Sequence, residues 1–405
     1  MARTELYYSV AHASGLHFKT AGVQYVVATV ADPNVHYAFL IDPSNAKLFY
    51  IKTIDNQITW SSPILLFNNT INAFACCYDR WSGIAGGLIH CAVANIDNGD
   101  IEYRTIDTEN SDALSTTKQV AALVSTANGG WLSIIRARGG DVYIKGCIDA
   151  GVEGGFYKLL NANVPNGVWE APLTDTEALA TTDQAILVPG FAADTNDIMC
   201  MFIDASANEL SRYVYDSSAN TWSETLITAI TDTVATTSFP HFSACVDLAN
   251  SQILLIAWNN VDVLNADLLS WSITESAITP LADVISNSTD DQGFAALGID
   301  LDTGYIYAVY GGVTGGTETF PTAINLYYKI STDSMATWGT ETKLTTMNAI
   351  SIEWICMTPR FNGIDSLVVV YSQLLTSRWI RLNVELPASG GGMLVHPGMT
   401  GGIRG

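Results

Sequence analysis

Hydrolysis by general acid and base needs two carboxylates facing one another across a site, one of which keeps its proton longer. The acids placed for this near apolar strand patterns are Asp79, Asp247 and Glu353. Glu353 lies inside Ser-Ile-Glu-Trp-Ile-Cys (351–356), where a carboxylate is costly unless paired. Arg378 and Arg381, from the same unit, are its expected partners. An anion clamp would instead draw on arginines, of which the chain has ten. Arg80 and Arg360 sit at the ends of strand patterns, and Arg136 and Arg138 alternate and so share one strand face.

Other chemistries find less. The six histidines (12, 17, 36, 90, 241, 396) show no metal-ligand spacing, and the acidic turns 97–100 and 300–302 lack a full set of calcium ligands. The glycine run 311–316 opens no helix and has no Lys-Ser/Thr, so it is not a phosphate loop. Seven cysteines (76, 77, 91, 147, 200, 245, 356) without C-x-x-C spacing read as thiols used as small hydrophobes, with the adjacent pair Cys76–Cys77 unexplained. No catalytic, metal or cofactor residue is assigned from the sequence, and a non-enzymatic protein is expected.

The elements that would carry these residues repeat. Leu48–Leu66, LFYIKTIDNQITWSSPILL, is a strand pattern, a turn closed by Trp60, and a second strand pattern. Versions of it recur around Trp169, Trp222 and Trp338, at separations of 109, 53 and 116 residues, or two, one and two units. Three strand registers repeat seven times. The first runs through Tyr25, Phe74, Trp131, Ile186, Phe242, Phe294 and Trp354; the second through Tyr37, Ile89, Tyr143, Met199, Leu254, Ile306 and Val368. The third runs through Phe49, Tyr103, Tyr157, Tyr213, Trp271, Tyr328 and Ile380. Apolar runs and period-two alternation, with Asp/Asn/Gly/Ser turns between, make these strands rather than helices.

Four antiparallel strands per unit, repeated radially, predict an all-β, seven-bladed β-propeller over 1–387. Its blades lie near 23–68, 72–123, 129–180, 184–236, 240–289, 292–345 and 350–387. The last lacks a fourth strand, and the surplus strand 4–10 is expected to complete it and shut the ring. Segments 311–321 and 259–267 are expected as loops on one end. The tail 388–405 holds seven glycines and is expected to rest on its own fold or a neighbouring copy, through Met393, Leu394, His396 and Arg404.

Composition limits partners. A net charge of −22 argues against nucleic acid, which needs clustered positive charge, and against a polybasic membrane anchor. No apolar run reaches membrane-spanning length, and the start lacks the pattern of a signal peptide.

The turn pattern resembles the Asp-box of sialidase-like propellers, roughly S/T-x-D-x-G-x-T-W. Ser331-Thr-Asp333-Ser-Met-Ala-Thr337-Trp338 matches it except for Met335 at the glycine position; Thr53-Ile-Asp55-Asn-Gln-Ile-Thr59-Trp60 carries Gln57 there. Asp216 to Trp222 is one residue longer. The resemblance implies structural roles for Thr53, Asp55, Trp60, Trp169, Asp216, Trp222, Ser331, Asp333 and Trp338: the Asp holds a turn, and the Trp covers the gap between sheets. Sialidases of this fold also carry an arginine triad, and no Arg-Ile-Pro segment precedes the first box here. Similar propellers occur in bacteriophage tail and nozzle proteins. The expectation is therefore a structural virion component of the tail or head–tail region, made in the host cytoplasm, binding other virion proteins and copies of itself, with a host glycan as a further partner. The alternative is a glycan-binding lectin or a glycoside hydrolase.

Overall fold

A computed structural model describes residues 3–7, 24–27, 35–42, 45–55, 59–122, 131–147, 155–170, 173, 184–204, 207–229, 242–262, 265–288, 295–311, 325–344, 352–361, 367–373 and 376–382. The chain opens with β1 (Arg3–Tyr7). The first sheet is β2 (Gln24–Val27), β3 (His36–Asp42), β4 (Lys47–Thr53) and β5 (Ile64–Phe67), in that order. The second is β6 (Ile71–Tyr78), β7 (Leu88–Asn95), β8 (Asp100–Asp107) and β10 (Lys118–Ala122), with β9 (Ala113–Leu114) also on β8. The third is β11 (Trp131–Arg136), β12 (Val142–Cys147) and β13 (Phe156–Leu159). The fourth is β14 (Gln184–Pro189), β15 (Ile198–Asp204), β16 (Glu209–Asp216) and β17 (Thr221–Ala229).

The fifth sheet is β18 (Phe242–Asp247), β19 (Gln252–Asp262), β20 (Asn265–Ile273) and β21 (Ile278–Pro280), with β22 (Ile285–Ser288) also on β20. The sixth is β23 (Ala295–Asp300), β24 (Ile306–Gly311), β25 (Leu326–Ser331) and β26 (Thr342–Lys343). The seventh is β27 (Ile352–Met357), β29 (Leu367–Gln373) and β30 (Thr376–Leu382), with β1 antiparallel to β30. Between them, β28 (Arg360–Phe361) leaves its unit and pairs in parallel with β23.

Burial falls from the first strands outward. In β24 all six residues are buried, whereas β17 is mostly exposed. A strand covered on both faces must be apolar at every position, which is why the inner strands read as continuous apolar runs. The core is cut into slabs between successive sheets. Tyr37, Phe39 and Tyr50 meet Phe74 and Val93 between the first and second; Met199 and Ile203 meet Leu255 and Trp271 between the fourth and fifth. The first strands are neighbours in order, from β2 beside β6 through to β27 beside β2. Among the described residues no helix is long and apolar enough to cross a membrane.

The expected closure into a seven-bladed propeller is corrected, although the N-terminal strand does pair with the last unit, β1 on β30. Among the described residues the hydrogen bonds make seven separate open sheets, none closed on itself, and the β23–β28 pair breaks the uniform antiparallel scheme. A repeat period counts strands per unit and carries no information on how sheet edges are satisfied. The tail 388–405, with Met393, Leu394, His396 and Arg404, lies outside the described residues, as does 312–321 of the expected loop.

Candidate functional site

The Asp-box positions form one kind of turn twice. Asp333 accepts from Ser331 Oγ (2.8 Å), Thr337 N (2.9 Å) and Thr337 Oγ1 (2.5 Å). Asp55 accepts from Thr53 Oγ1 (2.7 Å), Thr59 N (2.9 Å) and Thr59 Oγ1 (2.6 Å). These bonds favour the ionised form and hold the Asp333 carboxyl below its usual range, with Thr337 the largest contributor. Met335 is fully buried at φ 69°, a left-handed angle that explains the usual glycine. Asp216 instead caps a longer turn, accepting from Ser218 N, Ser218 Oγ and Ala219 N.

The tryptophans reach back to the preceding sheet. Trp169 meets Tyr103 edge-on at 5.1 Å, Trp222 meets Phe156 at 4.9 Å, and Trp338 Nε1 donates to Ala282 O at 2.9 Å. Trp60 is half-buried.

A buried polar cluster joins the second and third sheets. β6 ends in a single 3-10 turn, Asp79–Ser82, which places Asp79 beneath β7. Asp79 Oδ1 accepts from Arg136 Nη1 at 2.7 Å and lies 2.6 Å from His90 Nε2; its Oδ2 accepts from Leu88 N at 3.1 Å. His90 Nδ1 lies 2.7 Å from the Tyr103 hydroxyl. One tautomer satisfies the chain: Nε2–H donates to Asp79 and Nδ1 accepts from Tyr103. Burial works against the Asp79 carboxylate, and the bonds from His90 and Arg136 more than offset it, leaving its pKa below the usual range. Asp79, His90 and Tyr103 are shut off from solvent, so their proton-transfer groups serve here as a fastening. Arg136 continues to Asn161 Oδ1 and Gly140 O.

The first strands enclose a cavity of about 240 Å³, lined by residues such as Leu132, Ala185, Phe242, Leu297 and Ile355, with Ser133 and Ser243. Trp81 of the 3-10 turn also lines it. Gly83, at φ 79°, follows that turn and passes so close to Leu248 of the fifth sheet that a Cβ would lie 2.9 Å from Leu248 Cδ1. Among the described residues the lining has thiols but no carboxylate, imidazole, ammonium or guanidinium.

The remaining acids named from the sequence are dispersed. Asp247 is engaged by Ala249 N, Asn250 and Gln252 in its own turn, and Asp300 by Asp302 N and Thr303 Oγ1. The side chains of Glu353, Arg360, Arg378 and Arg381 lie outside the described residues. Among the described residues no group of three or more His, Cys, Asp or Glu is placed to hold a metal.

Sequence reasoning missed a carboxylate pair at the seam of the fifth and sixth sheets. Segment 281–284 is held to β20 by Leu281 N→Ser270 O and Val284 N→Leu268 O, and the sixth sheet meets it with Trp338 Nε1 on Ala282 O and Lys329 Nζ on Val284 O. Asp283, exposed on this segment, lies within electrostatic reach of Asp267 on β20. Partial burial first, then the charge of Asp267, pushes the Asp283 carboxyl above its usual range, against a bond from Ser286. Trp338, which donates to Ala282 O next to Asp283, is half-buried. The signal was available only as the closeness of two acids sixteen residues apart on paired segments, which no motif encodes.

No family model matches the chain, and no curated protein matches its sequence. Solved structures do match. A polysaccharide lyase described as a PL25 ulvan lyase is 11% identical, with TM-score 0.60, over 94% of this chain and 96% of that one; a second structure of it is described as bound to -[GlcA(1-4)Rha3S]-. A hydrazine synthase from Kuenenia stuttgartiensis is 7% identical, with TM-score 0.55, over 94% and 100%. A sialidase from Streptococcus pneumoniae is 12% identical, with TM-score 0.48, over 94% and 70%.

Two expectations are corrected by these likenesses. The resemblance to phage propellers of the Asp-box kind gives way to distant matches with a polysaccharide lyase and a hydrazine synthase, neither of them a phage structural protein. The non-enzymatic expectation rested on missing motifs, and this all-β fold is shared over nearly the whole chain with enzymes. At such identities, what the chain has in common with them is its fold.

Proposed function

We propose that this protein is a glycan-active enzyme that binds and hydrolyses a neutral polysaccharide at the seam of its fifth and sixth sheets. The observation that carries the reading is the carboxyl of Asp283, pushed up by partial burial first and by the charge of Asp267 second, on the segment whose Ala282 O accepts from the half-buried Trp338. In glycoside hydrolysis one carboxyl donates its proton to the glycosidic oxygen, while an ionised partner attacks the anomeric carbon or activates a water. Asp283, with its raised pKa, takes the first role and Asp267 the second. Trp338 offers an apolar ring face on which a sugar can stack.

The fold shared with a polysaccharide lyase supports the substrate class. The net charge of −22 favours a neutral chain over a polyanion of the kind described for that lyase, because like charges repel at close approach. The test is a panel of neutral and anionic polysaccharides, scored for retention on affinity gels and for new reducing ends. Release of reducing ends from a neutral polymer is the expected result. Retention without release would contradict hydrolysis and leave a lectin, and the absence of both retention and release would overturn the reading.

A further inference from the structure

The geometry points to a cross-strand thiol pair, Cys76 and Cys91, that closes into a disulfide when a small disulfide oxidant enters the cavity. The two residues are direct partners in the antiparallel β6–β7 ladder, and their Sγ atoms lie 3.4 Å apart. Partners in such a ladder have Cα atoms about 4.5–5.5 Å apart, within the roughly 4.4–6.8 Å that a disulfide spans. Closing the bond therefore needs side-chain rotation and little backbone movement.

The adjacent Cys77 is not the partner. Side chains alternate along a strand, and Cys76 joins the apolar slab shared with the first sheet while Cys77 joins the slab shared with the third. This separation also accounts for the Cys76–Cys77 dipeptide, since each thiol fills a different slab.

Access distinguishes the two sulfurs. Cys91 is fully buried, whereas Cys76 lines the cavity and keeps 8% of its surface. Burial first, and then the bond with Cys91, push the Cys76 thiol up, so the minor thiolate form of Cys76 attacks one sulfur of the oxidant RSSR, breaking its S–S bond and expelling RS⁻. Cys91 thiolate then attacks the Cys76 sulfur of the mixed disulfide and expels the second RS⁻. The two protein thiols lose two electrons, the oxidant gains them, and the two thiol protons end on two RSH.

The full-length protein is treated with bis(2-hydroxyethyl) disulfide, quenched with N-ethylmaleimide under unfolding conditions, and mapped by peptide mass spectrometry. A linked peptide pairing Cys76 with Cys91, lost on reduction, is expected, with two fewer thiols alkylated. The Cys77→Ala variant should form the same link. The Cys91→Ala variant should stop with 2-mercaptoethanol attached to Cys76. Recovery of Cys76 and Cys91 fully alkylated in the native protein, or a link from Cys76 to Cys77, would overturn the assignment.

Discussion

Removing the Asp79 carboxylate is the sharpest perturbation of the fold. In Asp79→Ala, Arg136 Nη1 and His90 Nε2 lose their partner, and the Leu88 amide loses its acceptor. Three bonds to a charged acceptor are worth about 1.5–3 kcal/mol each, and most of that gross value is offset by the cost of burying the carboxylate. What remains is the penalty of stranding the partners, about 3–5 kcal/mol for a broken buried pair. Arg136 keeps 11% of its side chain exposed and retains Asn161 and Gly140, so the lower end, about 3 kcal/mol, is expected. The sign with pH follows from the depressed pKa. The folded state binds the Asp79 proton less readily than the unfolded chain does. Its contribution is therefore complete above the ordinary carboxylate range and is lost as pH falls through the folded value. Urea unfolding at neutral and at acid pH measures both quantities. A loss below about 1 kcal/mol at neutral pH, or a variant as acid-sensitive as the parent, would refute the fastening role.

Other substitutions separate structural from surface roles. Met335→Gly restores the residue usual at that turn and relieves about 1–2 kcal/mol of left-handed strain. It also deletes a fully buried side chain worth about 2–5 kcal/mol, so thermal unfolding should report a net loss rather than a gain. Trp169→Ala, at a buried ring against Tyr103, should cost about 3–5 kcal/mol in chemical denaturation. Trp60→Ala, at a half-buried ring, should cost visibly less in the same assay.

Much of the strand framework was legible. Period-two patterns and turn residues placed Tyr103, Tyr143 and Tyr213 within β8, β12 and β16, because inner strands buried on both faces must be apolar in runs. The turn chemistry of Asp55 and Asp333 was legible for the same local reason: donors and acceptor lie within four residues. Contacts between sheets were not legible. Arg136 reaches Asp79 from 57 residues away, and even within the fifth sheet no local pattern shows that the charge of Asp267 acts on Asp283 sixteen residues on. The parallel β28 was hidden too, since Arg360–Phe361 is too short to carry a period. The side chain of Glu353, singled out as an acid in an apolar strand, lies outside the described residues, whereas Asp79 is fully buried.

The central claim is that Asp283 donates a proton to a glycosidic oxygen. It is tested most directly by comparing release of reducing ends by the native protein and by Asp283→Asn, on the neutral polysaccharide that the native protein cleaves best. Loss of a general acid predicts a fall of about 10²–10⁴-fold in rate, with unfolding behaviour and polysaccharide retention preserved. Equal rates in the two proteins would contradict it.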